Sequence, residues 1–312
     1  MADAIPPLVF DTSFKAHPGQ VVELLHGVSR ITANNAGPYT LTGTNSFVIG
    51  HDRVAVLDPG PDDTTHRAAL LAAIGGRPVE AILLTHTHRD HSAGALPLAR
   101  STGAPIWSGG PHRLSRPARL FEMNALARSC DWGLAPDRIF FDGERFVIGG
   151  VELTAIATPG HCANHFAYGV GDSGWLLSGD HVMGWNSTLV AVPDGSMADY
   201  LASLAKIIAL PYRHYAPGHG GPIEDGPTYS RALAAHRELR NRQVVSAVNG
   251  GARTISDLLG RIYPTLQGKI RFAAGLTLKA HIEYLATRGE IIARRSLLGL
   301  RLRPAQSSSS AA

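Results

Sequence analysis

The sequence predicts an α/β protein in which a layered body of strands and helices is followed by a smaller C-terminal domain. Between residues 21 and 225, short β-branched runs alternate with helical stretches and with turns rich in Gly and Pro. This mixture favours layers of sheet and helix over an all-β sandwich. After Pro222 the sequence changes to Ala-, Leu- and Arg-rich stretches that are typical of helices. The 312 residues, 44% of them hydrophobic, suffice for one large and one small domain.

Within the body, apolar or alternating runs predict strands, and two stretches with helical spacing predict helices. Glycine-rich turns, such as Gly149-Gly150 and residues 171–174, separate neighbouring strands and favour hairpin connections. In chain order, we expect strands over residues 44–49, 54–57, 79–84, 151–156 and 175–177, and helices over residues 64–74 and 91–101.

The C-terminal part predicts three helices and a hairpin. A long helix over residues 228–248 stops at Gly250-Gly251, and helices over residues 255–263 and 276–287 follow. Residues 290–302 predict a hairpin around Leu298-Gly299, and two helices followed by a hairpin form the outline of a winged helix. The expected divisions are a main domain over residues 1–226, a connecting helix over 227–250, a winged-helix-like domain over 251–304 and a disordered tail over 305–312.

The composition argues against several classes of protein. A membrane-spanning helix requires about eighteen consecutive apolar residues, and the sequence contains no such run. Residues 1–10 carry Asp3 and two prolines where a signal peptide has a basic and an apolar part. Cys130 and Cys162 are too few for a disulfide framework or a thiolate zinc site. We therefore expect a cytoplasmic location and no contact with membranes.

The charge is distributed unevenly along the chain. Residues 231–303 contain 14 Lys and Arg against four acidic residues, and since the whole chain carries +4, the remainder carries −6. A basic C-terminal part makes an anionic partner such as single-stranded RNA worth testing. The alternatives are a solvated surface, a surface that packs over a cleft, and a contact between the subunits of a homodimer.

Histidine is the unusual residue, with 15 in a chain that has only 25 Asp and Glu. The strongest pattern is THTHRDH at residues 85–91, directly after an apolar strand. Alternate side chains leaving a strand point to one side, so His86, His88 and Asp90 can converge, while His91 lies at the start of the next helix. Neutral imidazoles and a carboxylate are suitable zinc ligands. A lone histidine at a strand end usually only bonds backbone groups, but four possible ligand residues within six positions indicate a metal site.

Three later segments have the same form, in which an apolar strand ends in a glycine and a possible ligand follows. They are TPGH at residues 158–161, SGDH at residues 178–181 and APGHG at residues 216–220. Small residues beside a ligand allow the backbone to approach a crowded metal centre. These segments supply His161, Asp180 and His219 as the remaining ligand candidates.

On these motifs the sequence resembles the metallo-β-lactamase superfamily over most of its length. The HxHxDH signature and the later ligand positions of that superfamily are matched by His86, His88, Asp90, His91, His161, Asp180 and His219, and its strand-end aspartate by Asp58. Residues 43–46, 85–91, 158–161 and 217–220, with the helical tail, resemble the β-lactamase-like protein 2 group. The resemblance implies a four-layer αββα sandwich with the site along one edge, followed by a winged-helix-like domain.

The resemblance also implies how the ligands share two metals. It places one metal on His86, His88 and His161 and the other on Asp90, His91 and His219, with Asp180 bridging. The expected cofactor is two Zn²⁺ per chain, with Mn or Fe as alternatives. A hydroxide that bridges the metals is expected to attack a small-molecule ester, thioester or lactone. Catalysis is expected to depend on Asp90 and Asp180.

Residues around the ligands have expected roles as well. Asp58 either accepts a hydrogen bond from a ligand imidazole and fixes its tautomer, or only ends a strand at a turn. His165 and His181 orient a ligand, donate a proton to a leaving group, or pack as ordinary buried histidines. Cys162 is interpreted as a buried thiol, because Asp180 already fills the bridging position. Candidates for the wall of the substrate cleft are Tyr39, Asn45 and Trp185.

The sequence leaves three other functions open. The β-lactamase-like protein 2 resemblance suggests a single-strand endoribonuclease that uses the same metals on a phosphodiester. The ligand set would also accept a single iron, as in the oxidoreductases of this superfamily. A metal-stabilised binding module without catalysis is the last alternative, and the complete ligand set argues against it.

Overall fold

The computed structural model describes residues 7–120, 122–296 and 299–305, whose strands form two large sheets and a separate hairpin. The seven strands of the first sheet follow one another in chain order: β1 (Val21–Leu25), β2 (Val28–Thr32), β3 (Asn45–Ile49), β4 (Val54–Leu57), β5 (Val79–Leu83), β6 (Ile106–Ser108) and β7 (Arg138–Ile139). The second sheet has the spatial order β12-β11-β10-β9-β8, with β8 (Glu144–Ile148), β9 (Val151–Ala157), β10 (Phe166–Val170), β11 (Trp175–Gly179) and β12 (His214–Pro217).

The helices of the described residues flank these sheets or follow them in the chain. They are α1 (Thr64–Ile74), α2 (Arg89–Ser92), α3 (Ala95–Thr102), α4 (Met197–Ile208), α5 (Gly226–Asn249), α6 (Ile255–Ile262) and α7 (Gly268–Thr287). The chain then forms a hairpin of β13 (Ile291–Ser296) and β14 (Gly299–Pro304).

The two sheets pack face to face, with a helical layer outside each. Phe47 and Leu57 of the first sheet share one apolar core with Leu153, Tyr168 and Leu177 of the second. The outer face of the first sheet packs against α1 and α3, and the outer face of the second packs against α4 and α5. The order of layers is therefore helix, sheet, sheet, helix, as expected for the αββα sandwich.

The strands that lead to the site are buried on both faces. All residues of β4 are buried, as are the last three residues of β5, which explains why β4 and residues 81–83 are apolar throughout. The pair β4 and β5 is parallel, and so is the pair β11 and β12. Because parallel strands end at the same edge of a sheet, the residues that follow each pair are brought close together.

The C-terminal elements have an apolar core of their own. The end of α5 contributes Val248, α6 contributes Leu258, α7 contributes Leu278 and Ile282, and the hairpin contributes Leu302. Two helices and a hairpin thus follow α5 in the expected order, while the winged-helix arrangement and the domain boundaries stay predictions. Leu298, at the expected hairpin turn, and residues 306–312 of the expected tail lie outside the described residues.

Two of the helix predictions were wrong in their bounds. The single helix expected over residues 91–101 is divided into α2 and α3, because the chain turns at Gly94 to pass the loop after β4. A Cβ at Gly94 would lie 2.7 Å from Pro59 O, so that close approach requires glycine. The last helix begins at Gly268 instead of residue 276, since Gly275 lies within α7 and packs near Leu259 of α6.

Several elements were not predicted at all, among them β1, β2, β6, β7 and α4. Three more, β8, β10 and β12, were implied by the glycine-rich turns or by the ligand motifs but were given no bounds. The N-terminus of α4 nevertheless carries a recognisable cap, because the Ser196 side chain accepts a hydrogen bond from Asp199 N. No helix among the described residues combines the length and the apolar character that crossing a bilayer requires.

Candidate metal centre

The structure brings all seven ligand candidates to one edge of the sandwich. His86 and His88 follow β5, and Asp90 and His91 lie in α2. The other three lie after the strands of the second sheet: His161 after β9, Asp180 after β11 and His219 after β12. Backbone hydrogen bonds join the two sheets here, from Phe166 N to Thr85 O at 2.7 Å and from Asn45 N to Gly218 O at 2.7 Å.

The ligand atoms form two groups that Asp180 connects. In the first group, of His86, His88 and His161, the His161 Nε2 lies 2.8 Å from His88 Nδ1. In the second, of Asp90, His91 and His219, the two imidazole Nε2 atoms are 3.2 Å apart.

Asp180 lies between these two groups. Its Oδ1 is 3.4 Å from His91 Nε2, and its Oδ2 is 3.4 Å from His219 Nε2 and 3.7 Å from His161 Nε2. Asp180 also forms a compact triad with His86 and His91. One carboxylate therefore reaches atoms of both groups.

In each of the five histidines among the ligand candidates, the ring nitrogen that faces away from the cluster, here called the outer nitrogen, has a polar partner. His88 Nε2 donates to Asp194, His91 Nδ1 to Asp58, His161 Nδ1 to Leu189 O and His219 Nδ1 to Gly43 O, and His86 Nδ1 lies 2.9 Å from Thr85 Oγ1. Carboxylate and carbonyl oxygens only accept, so these outer nitrogens carry hydrogen. In a neutral imidazole the inner nitrogen then presents a lone pair to the centre.

The side-chain atoms that face the interior of the cluster have positions that are compatible with a bound cation. His86 Nε2 and Asp180 Oδ1 are buried and have no hydrogen-bond partner among the described residues, which leaves two polar atoms uncompensated. Ligand atoms around a tetrahedral zinc with bonds of about 2.0–2.1 Å are about 3.3 Å apart. The contacts of His219 Nε2 with Asp90 Oδ2 at 3.3 Å and with His91 Nε2 at 3.2 Å match that spacing.

The electrostatics of the cluster also favour added positive charge. Burial, aided by His88, lowers the pKa of His161 to about 4, which keeps this imidazole neutral. Burial alone would lower the pKa of His219, but the carboxylates of Asp180 and Asp90 outweigh it and raise the pKa to about 9. The same carboxylates hold the pKa of His91 well above its usual value against burial. A divalent cation would supply the positive charge that this part of the cluster favours.

Asp58 orients a histidine of each group. It is fully buried, and its carboxylate accepts from Thr85 N at 2.7 Å, Thr85 Oγ1 at 2.6 Å and His91 Nδ1 at 2.8 Å. Thr85 Oγ1 gives its single proton to Asp58, so it accepts from His86 Nδ1. Asp58 therefore holds His91 directly and His86 through Thr85, and it has a positive φ of 50° at this position.

Asp194, which holds His88, was not predicted from the sequence. Asp194 is fully buried, accepts from His88 Nε2 at 2.9 Å and lies 2.8 Å from His112 Nε2. Burial would raise the pKa of Asp194, but hydrogen bonds with His112 and His88 hold it well below its usual value. In sequence, Asp194 stands in a Pro-Asp-Gly segment that reads as an ordinary turn, so no local pattern marked it.

The other histidines near the ligands are packed rather than free. His165 Nδ1 lies 2.8 Å from Thr158 Oγ1, and its Nε2 accepts from Asp180 N at 3.1 Å, so His165 supports the Asp180 backbone. His181 is fully buried beside the Tyr200 ring, with centroids 4.8 Å apart. Cys162 is also fully buried, and burial raises the pKa of its thiol well above the usual value.

The three residues considered for the cleft wall differ in role. Asn45 is buried and donates to Pro217 O at 3.0 Å and Gly220 O at 2.9 Å, so it fixes the loop of His219 and is not free for substrate. Trp185 packs beside Gly220, and its buried Nε1 has no partner among the described residues. Tyr39 is exposed, and its hydroxyl lies 3.2 Å from Lys269 O of α7.

Comparison with known proteins agrees with this geometry. The family model described as the metallo-β-lactamase superfamily matches residues 39–219, which include all seven ligand candidates. The chain belongs to the metallo-β-lactamase superfamily. As a member of this superfamily with a complete set of ligand residues, it is a metal-dependent hydrolase.

Three similar proteins extend the match beyond the family model. The chain is 28% identical over 284 residues to a β-lactamase-like protein 2 homologue of Caenorhabditis elegans, covering 88% of this chain and 89% of that protein. It is 27% identical over 242 residues to an atrochrysone carboxyl ACP thioesterase of Aspergillus fumigatus, covering 75% and 69%. A β-lactamase domain protein from Burkholderia ambifaria shares the fold, with a TM-score of 0.75, 21% identity and coverage of 97% and 96%. The resemblance to the β-lactamase-like protein 2 group is thereby confirmed.

Proposed function

We propose that the chain is a two-metal hydrolase that cleaves an ester, thioester or lactone in a small-molecule substrate. One cation would be held by the group of three histidines and the other by Asp90, His91 and His219. The observation that carries the proposal is the position of Asp180, whose two oxygens reach histidines of both groups at 3.4 to 3.7 Å. A carboxylate in that position can bind two cations at once.

The cations, when bound, supply an activated water and a Lewis acid towards the carbonyl oxygen of the substrate. The protein residues supply orientation. Asp58 and Asp194 hold the imidazoles of His91 and His88 by their outer nitrogens, which keeps the inner nitrogens as ligands. Asp90, with a side chain about one third exposed, lies on the side of the cluster that is open to solvent. Substrate would therefore approach from the side of Asp90.

Among the carbonyl substrates, thioesters are the first to test. The relative from Aspergillus fumigatus is named as a thioesterase that acts on an acyl carrier protein. The ligand set of this chain contains no cysteine, and Cys162 is a buried thiol with a raised pKa. The substrate proposal therefore concerns hydrolysis by a centre of histidines and carboxylates alone.

The test combines metal analysis with a substrate screen. Protein loaded with Zn²⁺, Mn²⁺ or Fe²⁺ is assayed on an acyl thioester, a lactone, an aryl ester and labelled single-stranded RNA, beside Asp180→Asn as the inactive control. Hydrolysis of a carbonyl substrate, lost in Asp180→Asn, supports the proposal. If protein with two metals per chain cleaves none of the carbonyl substrates, the proposal is wrong.

A single-strand endoribonuclease is the second candidate, because one face of the hairpin is rich in arginine. Arg294 and Arg301 are exposed and stand directly opposite each other on β13 and β14, and Arg303 lies two residues along the same face. Like charges directly opposite destabilise a strand pair, so bound phosphates would stabilise it. RNA cleavage that falls steeply with salt and is weakened in Arg294→Ala/Arg301→Ala would support this candidate.

Metal analysis also separates the redox alternative. A single iron per chain in protein isolated from cells would favour an iron oxidoreductase of the same fold, whereas two zinc or manganese ions would favour hydrolysis. The identity of the metal depends on its availability as well as on these ligands. We propose zinc because five imidazoles and two carboxylates form its usual ligand types.

A further inference from the structure

The loop between β11 and α4 orients several metal-ligand candidates at once. Leu189 O accepts from His161 Nδ1 at 2.7 Å, and Asp194 accepts from His88 Nε2 at 2.9 Å. Thr188 Oγ1 lies 2.7 Å from Asp180 O and 3.0 Å from His181 O, so its hydroxyl fixes the backbone at the bridging residue. Contacts that fix this loop therefore also fix three ligand candidates, His88, His161 and Asp180.

A buried arginine of the long helix α5 reaches the same loop. Arg237 of α5 is only 3% exposed, and its Nη2 donates to Thr188 O. Its guanidinium also lies over the Tyr200 ring of α4, with Cζ 5.1 Å from the ring centroid. Its Nε is buried with no hydrogen-bond partner among the described residues.

A charge buried in this way is costly, so a packing role alone explains it poorly. An apolar residue would fill the same space without desolvation of a guanidinium. The contact with Thr188 O is charge-assisted, which makes it stronger and more directional than a neutral hydrogen bond. Arg237 therefore constrains the position of the Thr188 backbone, and with it the adjacent carbonyl of Leu189.

We propose that Arg237 is a positioning residue for the metal centre, acting through Thr188 and Leu189 on Asp180 and His161. The inference rests on the proposed two-metal site. It assigns to α5 a part in metal binding although no residue of this helix is a ligand candidate. Contacts one step beyond the ligands typically contribute about 10- to 100-fold to metal affinity, and because Arg237 acts one step further out, an effect at the lower end of that range is expected.

The test measures metal affinity instead of activity. Zn²⁺ is titrated into metal-free protein against a chromophoric chelator, and the melting temperature is measured with and without Zn²⁺. Arg237→Met should weaken Zn²⁺ binding at least about tenfold and reduce the rise in melting temperature that Zn²⁺ causes. Arg237→Lys, which keeps a charged donor, should lie between. Arg242→Met, at an exposed position of the same helix, is the matched control and should bind Zn²⁺ as the wild type does.

A second substitution keeps the inference testable if Arg237→Met fails to fold. Thr188→Val removes the hydroxyl that fixes the Asp180 backbone, and Thr188→Ser restores it. Thr188→Val should lose affinity, Thr188→Ser should regain it, and the effects of Arg237→Met and Thr188→Val should be less than additive because they act on one path.

The outcomes separate this inference from the proposed function. If the wild type binds no divalent metal, the proposed function fails first. If the wild type binds Zn²⁺ and Arg237→Met lowers the melting temperature equally with and without it, at unchanged affinity, Arg237 is only structural and the inference is overturned. Unchanged affinity in Thr188→Val overturns it in the same way.

Discussion

Replacement of Asp58 by Asn tests how the ligand histidines are oriented. Asn keeps one oxygen, which can still accept from Thr85 N, but it places an NH₂ group where Oδ2 stood. That position faces Thr85 Oγ1 at 2.6 Å and His91 Nδ1 at 2.8 Å, both of which donate in the wild type. Asn tolerates the positive φ of this residue, so the substitution changes the hydrogen bonds without adding backbone strain.

The size of the effect follows from the bonds that are lost. Hydrogen bonds to a charged group contribute about 1.5–3 kcal/mol each, and two of them lose their acceptor. The metal-free protein should therefore unfold with a free energy lower by at least about 3 kcal/mol. Metal affinity should fall about 10- to 100-fold at each site, or about 1.4–2.7 kcal/mol, since His91 is held directly and His86 through Thr85.

The assay is a Zn²⁺ titration against a chelator together with thermal melting of the metal-free protein. Asp62→Asn is the matched control, because Asp62 is an exposed aspartate of the same loop, and it should leave both quantities unchanged. Zn²⁺ affinity within twofold of wild type in folded Asp58→Asn would refute the argument that Asp58 sets the tautomers. If Zn²⁺ affinity falls at only one of the two sites, Asp58 does not act on His86 through Thr85.

Three further predictions concern the bridge, its surroundings and an ion network. Asp180→Asn should reduce bound metal from two ions per chain to one or none by elemental analysis and lower hydrolysis by at least about 100-fold, because a neutral amide bridges two cations poorly. Gly218→Ala would place a Cβ 2.6 Å from Asp180 Oδ1 and 2.7 Å from His91 Cε1, so it should cost about 1–3 kcal/mol and weaken Zn²⁺ binding. Gly260→Ala, at an open helical position, should leave Zn²⁺ binding unchanged and should not reduce the melting temperature. Hydrogen bonds with arginine lower the pKa of Glu122 to about 2, so its contribution to stability is complete above the unfolded pKa of about 4.3 and is lost as pH falls towards 2. Melting temperatures of wild type and Glu122→Gln should therefore differ most above pH 5 and converge at low pH.

The contact network of Glu122 shows how the C-terminal elements are attached near the site. Glu122 accepts from Arg116 at 2.6 Å and from Arg295 of β13 at 2.9 Å, and Arg116 also pairs with Glu283 of α7. The neighbouring Ser115 donates to Pro193 O at 2.8 Å, directly before Asp194. Ser115, Arg116 and Glu122 thus connect the loop beside the metal centre to the C-terminal elements.

The candidate metal ligands could be proposed from the sequence because the signal for them is local. His86, His88, Asp90 and His91 lie within six residues, so strand and helix geometry alone brings them together. His161, Asp180 and His219 each follow an apolar strand and a glycine, and that pattern was enough to propose them. The fully buried strand β4 and the capped helix α1 were also predicted with the observed bounds.

The residues that hold the ligands were harder to predict, because their partners are distant in sequence. Asp194 bonds a histidine 106 positions away, and Arg237 bonds a carbonyl 49 positions away. An aspartate in a Pro-Asp-Gly turn and an arginine in a basic helix have ordinary local explanations. Similarly, the close approach of Gly94 to Pro59 O, where the predicted helix is interrupted, is visible only in the tertiary structure.

The sequence by itself determined the layered α/β class and pointed to the set of candidate metal ligands. Hydrophobic periodicity and short motifs record the conformation of the few residues around them. Only the tertiary structure decided that Asp180 lies between two groups of histidines, that Asp58 serves both groups and that Arg237 reaches the loop beside them. Those contacts depend on how two sheets and a C-terminal helix pack against one another, and the packing of distant segments leaves no periodic pattern in the chain.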